Sequence, residues 1–154
     1  MYIFSANYAD KGANGVASQS AVQTLTLRSA KFKATAFDDY KGTAKMTVPD
    51  VGEMVLAADG SYIVFDNIDL TDLSALSVYA SGREGGTAGG KVEIHLDKPD
   101  GELLGSTTIK NGPSTPYKIP FDKKHTDTHT LFLVFVNPNA AGKSLFAVWD
   151  IEVE

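Results

Sequence analysis

Cysteine is absent from the 154 residues. That excludes disulfides, thiol nucleophiles and thiolate metal sites together. It fits an intracellular protein and equally many exported bacterial ones, so the compartment stays open. Basic charge is scarce: 14 Lys and Arg against 19 Asp and Glu leave a net −5, which argues against a nucleic-acid partner, since such proteins carry a basic patch. No apolar run approaches the ~20 residues that cross a bilayer, and no basic, apolar, small-residue leader opens the chain. The strand-like Tyr2-Ile3-Phe4 directly after Met1 reads as a start placed inside a longer chain. No long stretch keeps apolar residues at helical spacing. A Gly-x-Ser-x-Gly elbow is missing, and "SGREGGTAGG" (81–90) lacks the Lys-Ser/Thr of a phosphate loop and opens a strand rather than a helix.

What is present is alternation. "GGKVEIHLDKPDGELLG" (89–105) sets Val92, Ile94 and Leu96 on one face and Lys91, Glu93, His95 and Asp97 on the other, then turns at Pro99-Asp100-Gly101. Strands are expected at 2–8, 22–27, 31–35, 44–48, 54–56, 62–65, 75–80, 91–96, 103–109, 117–120, 130–136 and 145–153. Many short strands between Gly-, Pro- and Asn-rich turns point to an all-β, two-sheet antiparallel sandwich or jelly roll. Its core should include Phe65, Val78, Ile94, Leu96, Leu131, Leu133 and Phe135. "TLFLVFV" (130–136) is apolar on both faces, which predicts a central strand whose second face is also covered, by the N-terminal segment, a loop or a neighbouring domain. Residues 1–27 are small, polar and glycine-containing. They read either as a hairpin of this domain or as a linker or closing strand of an upstream one, with the principal domain spanning 28–154.

The chemistry-bearing residues are dispersed. Asp38, Asp39, Asp66, Asp69, Asp72, Asp97, Asp100, Asp150 and Glu152 sit mostly at turns and strand starts, and no pair is singled out as the facing carboxylates of a glycosidase, so an enzyme is not expected. His125 and His129, four apart beside a strand, would lie ~13 Å apart along it, too far for one metal. If the ligand is a sugar, its apolar C–H face needs an aromatic ring and its hydroxyls need polar side chains at the edges. Tyr40, Tyr79, Tyr117 and Trp149 are the candidate rings, Tyr117 on a loop. Each is equally readable as core or rim packing.

"DGSYIVFDNIDLTDLSALSVYASG", "GGKVEIHLDKPDGELLGSTTI", "HTLFLVFVNP" and "SLFAVWDIEV" occur in that order. The set resembles the family 6 carbohydrate-binding modules, galactose-binding-like β-sandwich jelly rolls, over about residues 28 to 154; "YIFSANYADKGANG" resembles the closing strand of an immunoglobulin-like domain. The resemblance implies a non-catalytic module of a larger secreted, periplasmic or surface-bound bacterial protein, held near a polysaccharide partner, with other domains in the same chain and no membrane insertion. The alternative is a structural or protein-interaction module that has lost sugar binding. The resemblance also implies a loop-built cleft between a Tyr and a Trp with an Asn nearby. Here Tyr117 stands near the Trp position, Met54-Val55-Leu56 replace the other aromatic, and Ala147 replaces the Asn. In some members the concave face of one sheet binds glycans as well. The family's structural calcium takes a glutamate from an early Ala-Glu pair and a final-strand aspartate. Ala34-Thr35 and Trp149-Asp150 stand in those places, and with Lys33 two residues before Thr35 the expectation is no bound metal and a Lys33–Asp150 contact instead.

Overall fold

A computed structural model describes residues 2–12, 15, 17–27 and 29–154. The chain divides into two compact units, 1–30 and 31–154. In the first, β1 (Tyr2–Ala9) and β2 (Ser20–Leu27) form their own antiparallel sheet, Tyr2 opposite Leu27 and Ala9 opposite Ser20. Ile3, Phe4, Tyr8 and Val22 of this hairpin are exposed.

The second unit is a two-sheet sandwich. After β3 (Lys31–Lys33) and a 3-10 turn (Ala34–Ala36) come β4 (Asp39–Lys41), β5 (Ala44–Val48), β6 (Gly52–Leu56), β7 (Tyr62–Asp69), β8 (Ala75–Gly82), β9 (Gly90–Leu96), β10 (Leu103–Ile109), β11 (Gly112–Pro120), β12 (Thr128–Val136) and β13 (Ala147–Val153). One sheet runs β10-β9-β12-β7-β4. The other runs β11-β8-β13-β6-β5, with β3 also on β13. β6 and β3 share one edge of β13: Val148 faces Val55, and Ile151 faces Phe32.

The alternation forms the core. Each residue expected inside is buried: Phe65, Val78, Ile94, Leu96, Leu131, Leu133 and Phe135. Phe135 and Phe146 meet edge to face at 5.7 Å, Phe32 and Phe65 at 5.1 Å. Local geometry shifted two boundaries. The period of two ends at Lys33, where the 3-10 turn takes over, so Thr35 is not a strand residue. β11 starts at Gly112, ahead of the strand expected over 117–120, so Tyr117 lies inside it rather than on a loop, with Thr115 to Pro120 in register with Ala80 to Ala75. Asp39–Lys41 pairs with β7 although three polar residues carry no periodic signal.

β10 and β11 close one side of the sandwich, and their crossing leaves no room for a side chain at Gly105. A Cβ there would stand 2.4 Å from the Pro120 carbonyl oxygen and 3.0 Å from Ile119 Cγ2. Gly105→Ala must therefore part the sheets at this corner, and a loss of about 1–3 kcal/mol is expected. Chemical denaturation of variant and parent checks it; equal midpoints would mean that the corner yields freely.

Candidate functional site

Opposed residues of an antiparallel pair share a face, so the register of the five-stranded sheet defines its outer surface. Phe132 lies opposite Val64 on one side and His95 on the other; Val134 lies opposite Tyr62 and Glu93. Lys41 faces Tyr62, and Ser106 faces Glu93. The Tyr62 and Phe132 rings meet edge to face, with centroids 5.5 Å apart. Both are half-buried, as is Val134, while Val64 is buried. The second apolar face of β12 is thus a shallow aromatic patch in the middle of an otherwise polar surface.

Polar groups frame it. Glu93 accepts a hydrogen bond from Lys91 Nζ at 2.9 Å and faces His95 Nε2 at 3.4 Å. The Lys91 hydrogen bond, with the smaller help of His95, holds the Glu93 carboxyl below its ordinary range against the opposing effect of burial. His95 Nδ1 donates to the Gly101 carbonyl at 2.9 Å, an assignment that follows from the carbonyl being an acceptor only. On the other flank Thr130 Oγ1 donates to Asp66 Oδ1 at 2.9 Å. An apolar ring with carboxylate, imidazole and hydroxyl groups at its rim has the chemistry that a pyranose requires.

The four rings expected from the sequence are not gathered in one place. Tyr117 faces Val78 and packs at the core margin, its hydroxyl donating to the Lys110 carbonyl at 3.4 Å. Tyr79 does point outward from the six-stranded sheet, but Lys31 Nζ covers its ring at 3.6 Å and its hydroxyl donates to Glu152 at 2.6 Å. That contact with Tyr79 raises the Lys31 pKa. Trp149 is half-buried, its Nε1–H donating to Ser81 Oγ at 3.2 Å. Tyr40 keeps an open ring: it is 53% exposed and rests on Phe37 at 4.9 Å, and Lys45 Nζ lies 4.2 Å from the Phe37 ring. By register with Ile63 it lies on the opposite side of β4 from Lys41. Met54 and Val55, standing for the second cleft aromatic, are buried.

His125 and His129 meet edge to face at 5.8 Å, closer than strand spacing implies, because His125 lies before β12 begins. His129 Nδ1 lies 3.0 Å from Asp97 Oδ2, and the His129 hydrogen bond lowers the Asp97 pKa. Among the described residues no three His, Cys, Asp or Glu side chains group as metal ligands. Of the residues that the resemblance sets at a calcium, Thr35 Oγ1 donates to Glu53 Oε2 at 3.1 Å, and Asp150 Oδ1 lies 2.9 Å from Lys33 Nζ. A lysine ammonium against the aspartate does not fit a divalent cation there.

The Tyr62, Phe132, Glu93 and His95 group was not singled out in the sequence. Its signal was the polar phase of "KVEIHL" combined with the doubly apolar "TLFLVFV"; only the register joins them.

The model of the carbohydrate binding module (family 6) matches residues 33–153. No curated protein matches the chain. Among solved structures, a family 6 carbohydrate-binding module from Clostridium cellulolyticum in complex with xylose is similar at TM-score 0.72 and 24% identity, covering 82% of this chain and 99% of that one. A β-1,3-glucan-binding family 6 module from Bacillus halodurans gives TM-score 0.65 and 23% identity, over 80% of this chain and 94% of that one. A family 43 arabinoxylan arabinofuranohydrolase from Bacillus subtilis, in complex with cellotetraose, gives TM-score 0.71 and 19% identity, over 92% of this chain and 30% of that one. These neighbours share the jelly-roll fold, and the match of the family model over most of the length assigns membership: the chain belongs to the family 6 carbohydrate-binding modules, a family that binds sugars and is non-catalytic.

Proposed function

We propose that this module binds a polysaccharide on the outer face of the five-stranded sheet. The observation that carries the reading is the half-buried Tyr62–Phe132 pair flanked by Glu93 and His95. A sugar ring lies on the aromatic patch, and Glu93 accepts from its hydroxyls. The surface has strands on either side rather than walls, so it suits a chain passing across it. One or two stacked rings and a few hydrogen bonds give weak affinity, on the order of 10 μM to 1 mM. Tyr40, the most open ring among the sequence candidates, is a second platform on the other side of the sheet edge. Tyr79, Trp149 and Tyr117 serve packing and hydrogen bonding first.

The module holds a larger exported protein near its polysaccharide. Residues 1–27 support that context. A two-stranded sheet by itself is marginal in water, and Phe4, Tyr8 and Val22 of this hairpin are exposed, which fits the closing strands of an upstream domain or a linker to it.

Titration of a glycan panel against the parent and Tyr62→Ala tests the site. The variant should lose about 1–3 kcal/mol of affinity for whichever glycan the parent binds, while Tyr79→Phe binds it unchanged. Equal affinity of Tyr62→Ala and parent moves the site elsewhere, to Tyr40 first. If no glycan binds the parent, the module is a structural or protein-interaction domain.

The lowered Glu93 pKa sets the acid limit of binding. The carboxylate keeps its charge as the pH falls past the ordinary 4.5 and is lost only below it. The contribution of Glu93, read as the parent's affinity against that of Glu93→Gln, should hold from neutrality to pH 5 and vanish at lower pH. A contribution already lost by pH 5 would mean that Glu93 is not the acceptor.

A further inference from the structure

We infer that the Lys33 ammonium stands in for the calcium ion that the family resemblance implies, so that the module folds independently of the metal. The final strand presents Asp150 and Glu152 on one face, and Glu154 follows it directly. Left alone, such a row of carboxylates attracts a cation. Each is met by a lysine: Lys33 Nζ at 2.9 Å from Asp150, Lys31 Nζ at 4.0 Å from Glu152, and Lys118 Nζ on Glu154. Lys31 and Lys33 come from β3, directly opposite Glu152 and Asp150 in register, so the backbone pairing itself sets the charges against one another.

Trp149 makes the pairing possible. Val148 lies opposite Ala80 and Asp150 opposite Tyr79, so Trp149 is the extra residue of a bulge. A bulge shifts side-chain parity by one. With it, Asp150 shares the outward face of Tyr79 and Lys33; without it, Asp150 would point the opposite way. The extra residue of the Trp-Asp pair is thereby absorbed in the strand. Thr35, in the place of a glutamate, is buried and donates its hydroxyl to Glu53. A neutral donor there satisfies Glu53 without a metal. Lys33 is 62% exposed along its side chain and Asp150 23%, so the ammonium is hydrated on one side. It neutralises Asp150 without a dehydrated site.

Thermal melts of the whole chain, in chelator and in millimolar calcium chloride, test this. The parent should melt at the same temperature in both. Lys33→Glu places a carboxylate against Asp150; it should melt lower than the parent in chelator and recover several degrees on adding calcium. A calcium-dependent rise of several degrees in the parent overturns the inference. So does a Lys33→Glu variant that folds and ignores calcium. Should that variant not fold, calcium binding to the parent, measured by equilibrium dialysis, decides alone: one tightly held ion per chain contradicts the replacement, and none supports it.

Discussion

The packing of β12 between β9 and β7 constrains the rest of the domain. A strand with hydrogen-bonded neighbours on both sides cannot hide either row of its side chains by moving. Its inner row, Leu131, Leu133 and Phe135, is buried in the core. Its outer row, Phe132 and Val134, has to find cover on the surface of its own sheet, and Tyr62 and Val64 of β7 supply part of it. What remains uncovered is a small apolar patch on a backbone fixed from both sides. Little conformational freedom is then left to lose when a ligand settles on it, which is where weak binders gain most.

The rim is held as firmly as the floor. His95 anchors the turn after β9 through the Gly101 carbonyl, and Asp97 ties the same turn to His129 and the Thr130 amide. Gly101 sits so tightly in that turn that a Cβ would stand 1.9 Å from the Leu96 carbonyl oxygen. On the other sheet the charges of β13 are cancelled within the molecule, and the edge strand β11 carries Pro113, Pro116 and Pro120, which cannot donate to a further strand. One broad face therefore offers a patch with unfilled stacking surface, and the other offers a closed polar ladder.

Most of the fold was legible because period-two patterning and turn residues report local geometry directly. The core list taken from alternation is buried throughout. What failed was local chemistry that overrides periodicity: the 3-10 turn at Ala34, and the short polar β4. The candidate site was less legible. Phe132 lies in an unbroken apolar run and reads as core, and Tyr62 reads as a strand opener; their partnership exists only in the cross-strand register. Tyr79 faces outward, but its coverage by Lys31 comes from a partner 48 residues away in the chain. The Lys33–Asp150 contact, expected from the family resemblance, is present at 2.9 Å, although Thr35 lies in the 3-10 turn rather than beside Lys33 on a strand face.

The most direct measurement is a map of backbone and side-chain NMR shifts during titration with a soluble glycan that the module retains. The expected perturbations cluster at Tyr62, Phe132, Val134, Glu93 and His95. Perturbations confined to β11 around Tyr117, or to the Tyr79–Trp149 side of the six-stranded sheet, would contradict binding on the outer face of the five-stranded sheet.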